Sequence, residues 1–243
     1  MELGLRGKVA VVTGASRGIG FAVARTLLEE GCTLAICARD GERLNAAVKE
    51  LAHGPHRVIG VPTDVTDEAA VQKFVRRTEE EYCRIDILER QLRDKVFGFF
   101  SMIKAVLPIM QHQRDGRIVN IVGQAARHPH PDRFPSGVTN AALLALTKSI
   151  ADAVARDNIR VNAVCPQYIE SALLASLIEK EMRERHVDRA TAAAGFTRAN
   201  PLGRTGKPEE VADLVAFLVS DCANFVAGSS VSIDGGYHRY VFG

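Results

Sequence analysis

Paired cysteines are missing from this chain: it has five, an odd number at no repeating spacing. That arithmetic argues against a disulfide framework and for reduced thiols in a cytosolic protein. Excess charge is missing too, the net value being +2 over 243 residues. Nothing in that balance draws the chain to nucleic acid or to an anionic membrane. No charged-then-apolar leader precedes the first strand, and no apolar run reads as long enough to span a bilayer. Repeats, low-complexity tracts and linkers are absent. Residues 1–243 therefore read as a single soluble, cytoplasmic domain, with 47% hydrophobic residues to build one large core.

What is present is an organising stretch near the start. Lys8 to Val12 is β-branched with no solvent face, as suits a strand covered on both sides in a parallel sheet. The spacing then turns helical, with Ile19, Val23, Leu27 and Leu28 inward, and Gly31 closing the helix. Between them lies Thr13-Gly14-Ala15-Ser16-Arg17-Gly18-Ile19-Gly20. Such a turn aims free main-chain N–H groups and the positive helix end at one spot, where a pyrophosphate can be held. Gly14 gives the turn, Gly18 lets a phosphate approach, and Gly20 permits close helix–strand packing.

The spacing Thr-Gly-x3-Gly-x-Gly resembles the cofactor signature of the short-chain dehydrogenase/reductase family, at every fixed position. The likeness runs along nearly the whole chain and is nearest to 3-oxoacyl-carrier-protein reductases. It implies an α/β fold, a doubly wound parallel sheet of Rossmann type in three layers. It also implies a nicotinamide coenzyme on Gly14, Ser16, Arg17, Gly18, Ile19 and Gly20.

Thr33 to Ala38 reads as the second strand and ends at Arg39. In this fold that junction meets the adenosine ribose, and a basic residue there accommodates a 2′-phosphate. Arg39, helped by Arg17, favours NADP(H) over NAD(H), unless both are merely solvated and Asp40 reverses the preference. After the third strand, Arg57 to Val61, the resemblance puts Asp64 on the adenine amino group and Val65 on its ring; a plainer reading makes Asp64 a turn residue and Asp67 a helix N-cap. Val71, Phe74, Val75, Thr78 and Tyr82 then share one helix face.

The fourth strand, from Arg84 to Leu88, reads as a stub. The family's Asn-Asn-Ala-Gly turn is missing, and Glu89 to Lys95 reads as the middle of the next helix. Unpaired ladder groups in the sheet interior cost about 1–3 kcal/mol each. Either the protein is shortened and repaired, or a segment between residues 88 and 89 is omitted; the cost favours omission. The apolar helix from Val96 to Met110 is a core helix or, by resemblance, packs on a neighbouring subunit in a dimer or homotetramer. Gly116 to Val122 is the fifth strand.

Family enzymes move hydride between nicotinamide and a carbonyl or alcohol, using an asparagine, a serine, a tyrosine and a lysine. Flanking residues put Lys95, Gly123, Ser136 and Asn140 at those positions, so the active site is degenerate. Lys95 brings an ammonium that serves as a relocated proton donor or is solvated, with Asp94 near in sequence. His128 and His130 trade protons or occupy a solvated loop; they lack partners at metal-ligand spacing, and no metal is expected. Pro166 and Ile169, in a Cys-Pro-Gln-Tyr-Ile loop, resemble the family's cover over the nicotinamide, with Gln167 in place of glycine. Residues about 167–200 resemble a lid on the substrate site or are a solvated helix pair. Pro208 opens a late helix, and Val226 to Gly236 holds the last strand. The expectation is an oxidoreductase acting on a small ketone or secondary alcohol, the alternative an inactive nucleotide-binding homologue acting as sensor or oligomer partner.

Overall fold

The computed structural model describes residues 2–52, 57–91, 96–127, 134–198 and 200–238. The sheet has seven strands in the order β3-β2-β1-β4-β5-β6-β7, all pairings parallel. These are β1 (Val9–Thr13), β2 (Thr33–Ala38), β3 (Val58–Pro62), β4 (Ile87–Gln91), β5 (Gly116–Ile121), β6 (Ile159–Pro166) and β7 (Ser230–Ile233). Every residue of β1 and β5 is buried. That is why those strands show no alternation: both sheet faces are covered.

One face carries α1 (Gly18–Glu29), α2 (Gly41–Leu51) and α8 (Pro208–Val219). Val23 and Leu27 of α1 meet Val211, Val215 and Leu218 of α8 in that core. The other face carries α3 (Glu68–Tyr82), α4 (Val96–Gln113) and α5 (Phe134–Val154), built on Phe74, Met102, Val106 and Leu143. Asp67 caps α3, accepting from the N–H groups of Ala69 and Ala70 at 2.9 and 3.3 Å. A smaller cluster joins α6 (Ala172–Arg185) to α7 (Arg189–Thr197) through Leu174, Ile178, Ala192 and Phe196.

Two expectations are corrected. The fourth strand is no stub: Leu88 and Glu89 pair with consecutive partners, Val11 and Val12 on one side and Ile118 and Val119 on the other. Glu89, Arg90 and Gln91 are strand rather than helix. Pairing with β5, and through Glu89 with β1 as well, outweighs the helical preference of a polar stretch. The second correction concerns apolar length. The helix Ser136–Asp157 is long and apolar enough by composition to cross a membrane, with a mean hydropathy of 1.2. Lys148 and Asp152 interrupt the run, which hides it in sequence. Its buried residues, Gly137, Leu143, Thr147, Ala151 and Val154, form a narrow stripe.

Candidate active site

Connections diverge beside β1, which has β2 and β3 on one side and β4 to β7 on the other. In an open parallel sheet this switch point leaves a crevice at the carboxyl ends of the strands. Here it is a cavity of about 770 Å³, reaching from the Thr13–Ile19 turn and the end of β2 to residues 123–125, Ser136, the loop after β6 and the start of α6. Gly14, Ser16, Arg17, Gly18, Ile19, Arg39, Val65, Gly123, Ser136, Pro166 and Ile169 all line it.

The turn is built for close approach of an anion. Gly14 and Gly18 have φ of +65° and +62°, left-handed values that favour glycine. A β-carbon at Gly18 would meet nothing within 4 Å, whereas one at Gly20 would lie 2.7 Å from the Gly14 carbonyl oxygen. Gly18 thus opens the site and Gly20 lets α1 sit down on β1. Arg17 precedes α1 without a side-chain bond to its first amides, so those N–H groups point at the crevice.

At the adenosine end Arg17, Arg39 and Arg43 stand exposed around the rim. Arg43 escaped the sequence reading; its only signal was the spacing of one helical turn from Arg39. Asp40 is occupied: Oδ1 accepts the Arg43 N–H at 3.0 Å, capping α2, and Oδ2 lies 3.2 Å from Arg43 Nε. Asp64 Oδ1 accepts from the N–H and hydroxyl of Thr66 at 2.9 and 2.8 Å, making a turn. Those bonds, with the Arg39 charge, hold its carboxyl below the ordinary range.

The far end of the cavity is lined by residues 123–125, Ser136 and the loop after β6. Asn140 lies against Gly123, its Nδ2 2.9 Å from where a β-carbon of residue 123 would sit. Ser136 is exposed on the cavity wall. Gln167, which stands in place of glycine, donates its N–H to Ile233 O at 3.2 Å, and Tyr168 takes the left-handed turn with φ +50°. Tyr168 packs edge-on to Phe196 and Tyr237, with ring centroids 5.1 and 5.9 Å apart. Ile169 is buried and bridges to Gly206. Leu173, Leu174 and Leu177 of α6 close the cavity from above. Lys95, Asp94, His128 and His130 lie outside the described residues. Among the described residues no group of three or more histidine, cysteine or carboxylate side chains is arranged to hold a metal.

The family model "short chain dehydrogenase" matches residues 8–91, and "Enoyl-(Acyl carrier protein) reductase" matches 89–238. The chain belongs to the short-chain dehydrogenase/reductase family. The 3-oxoacyl-[acyl-carrier-protein] reductase FabG of Thermotoga maritima is 34% identical over 252 residues, covering 96% of this chain and 98% of that one. L-Sorbose reductase of Gluconobacter frateurii, solved with NADPH and L-sorbose, superposes with a TM-score of 0.94 at 27% identity, over 99% of this chain and all of that one. An NADPH-bound short-chain oxidoreductase of Pseudomonas aeruginosa PAO1, described as containing an atypical catalytic center, superposes at 0.87 with 30% identity, over 96% of this chain and 98% of that one. The short-chain fold is thus common ground, and both of those solved relatives hold NADPH. From Gly123 to Gln167 the sequence has no tyrosine.

Proposed function

We propose that this chain is an NADP(H)-dependent short-chain oxidoreductase that interconverts a small ketone and a secondary alcohol using a proton donor other than tyrosine. One observation carries the coenzyme preference: Arg17, Arg39 and Arg43 ring the adenosine end while Asp40, the acid beside them, is engaged in capping α2. An engaged carboxylate is a poor acceptor for a ribose 2′-hydroxyl, and guanidinium groups match a 2′-phosphate. When bound, the coenzyme supplies or accepts hydride at its nicotinamide ring. The chain's own residues then have separate tasks. Amides of the Gly14–Ile19 turn hold the diphosphate, Val65 packs on the adenine beside Asp64, and Pro166 and Ile169 cover the nicotinamide. Lys95 donates the proton in place of the phenol, a role a desolvated ammonium can fill near neutral pH. The Pseudomonas protein, an NADPH-bound oxidoreductase with an atypical catalytic center, favours this over loss of activity.

Residues about 167–200 serve as a lid on the substrate, within a single domain. The outward apolar surface of α5, where Val138 is 70% exposed, pairs with a second copy in a dimer or tetramer in the cytoplasm. Calorimetric titration with NADPH and NADH, followed by a turnover screen over ketones and alcohols, tests the proposal. NADPH is expected to bind at least about tenfold tighter than NADH, and Arg39→Ala to remove most of that margin. Tight binding without turnover of any compound would favour the inactive, nucleotide-binding homologue. Full turnover by Lys95→Ala would remove Lys95 as donor.

A further inference from the structure

The first turns of α6 carry two sets of leucine and isoleucine with different surroundings. Ser171 starts the helix by accepting the Leu174 N–H at 3.3 Å. Leu174 and Ile178 are then buried in one cluster with Ala192 and Phe196 of α7, which holds the helix pair together. Leu173 and Leu177 lie one helical turn apart, about 5.4 Å along the axis, and both line the cavity. Leu177 is half-buried and rests on the cluster behind it. Leu173 is 51% exposed, an apolar side chain open to the cavity.

Charge is distributed unevenly along the same cavity. Among the described residues that line it, the charged ones are Arg17, Arg39, Asp40 and Arg43, all at the adenosine end. Near α6, polar side chains are already engaged. Ser171 Oγ donates to Ile169 O at 3.1 Å besides capping the helix, and Gln124 Nε2 donates to Asp234 Oδ2 at 2.7 Å. An anionic substrate, or one dense in hydroxyls, would give up its hydration there with few bonds in return. An alkyl group laid over Leu173 and Leu177 gains by leaving water. We infer that the substrate is an uncharged ketone or secondary alcohol whose alkyl chain or ring, about as long as one helical turn, packs on Leu173 and Leu177. This rests on the oxidoreductase reading above and adds to it two specificity-determining residues.

The test titrates 2-alkanones, from 2-butanone to 2-heptanone, by calorimetry into protein saturated with NADP+, a pairing of two oxidised partners that cannot turn over. Kd is expected to tighten about threefold with each added methylene. The keto acid 5-oxohexanoate, which ends the six-carbon chain in a carboxylate, should bind at least about tenfold more weakly than 2-hexanone. Leu173→Ser and Leu177→Ser should each cut the gain to under about twofold per methylene; if Leu177→Ser does not fold, Leu173→Ser, at an exposed position, decides alone. Phe225→Ser, at an exposed side chain outside the cavity lining, should leave the series as it is in the wild type. A flat series in the wild type, equal binding of 5-oxohexanoate, a gain that survives the folded leucine variants, or a loss shared equally by Phe225→Ser overturns the inference and leaves the coenzyme reading standing. Failure of both NADP+ and NAD+ to bind, measured first, would overturn that reading and the inference with it.

Discussion

Gly123 and Asn140 share space that only one of them can fill. A β-carbon at 123 would approach the Asn140 amide to 2.9 Å, so restoring a hydroxyl by Gly123→Ser forces Asn140 aside. Overpacking of this kind costs about 1 kcal/mol or more. Gly123→Ser is expected to lower the melting temperature by a few degrees, and Asn140→Ala in the same chain to recover it, by differential scanning calorimetry. Cysteine chemistry gives a second check at this scale. Burial pushes the Cys32 thiol up to about 12 and Cys165 up to about 11, while Cys83 and Cys222 are exposed. Iodoacetamide at pH 8 should modify Cys83 and Cys222 in the native protein and reach Cys32, Cys37 and Cys165 only after unfolding, as read by mass spectrometry. The glycines of the coenzyme turn were legible because a fixed backbone geometry demands them. Arg43 was not, since a sequence does not say that it borders the same cavity as Arg39.

At the level of elements, the start of α8 couples stability to acidity. Glu210 Oε2 accepts the Lys207 N–H at 2.7 Å, and its carboxylate pairs with Arg204 at 2.6 and 2.8 Å. These contacts, that from Arg204 first, lower the Glu210 carboxyl from 4.5 to about 2. A depressed folded-state value means the contribution is full above about 4.5 and fades as pH falls toward 2. The pair is solvent-exposed, so the effect is small. Urea midpoints of wild type and Glu210→Gln should differ at pH 7 and converge by pH 2.5. Helices such as α1, α3 and α8 were legible from apolar spacing and capping residues. β4 was not, because Glu89, Arg90 and Gln91 carry no strand signature and are extended by what flanks them. The apolar length of α5 was hidden by Lys148 and Asp152, charges that a half-covered helix can turn outward.

For the whole molecule, coenzyme and folding should be linked. A ligand that binds only the native state adds about 2.7 kcal/mol at a hundred times its Kd. For a chain of this size that is roughly 5–10 °C in melting temperature. NADPH is expected to deliver such a rise and NADH, at equal concentration, a smaller one; an equal rise from both would count against a 2′-phosphate site. The doubly wound order was readable because alternating strand and helix signals leave few topologies. The outward face of α5 was not, because a half-covered helix looks the same in sequence whether water or protein lies beyond it.

The two ends of the region that carries α6 and α7 are tied together. Tyr168 O accepts the Gly206 N–H at 3.2 Å, and Gly206 O accepts the Glu170 N–H at 2.9 Å. The region leaves and rejoins the body beside this stitch, and its two helices pack on each other through Leu174, Ile178, Ala192 and Phe196. It is therefore a cassette: substitutions, insertions or wholesale replacement between those ends can retune what the protein recognises while the strand ladder and the dinucleotide cradle keep their shape.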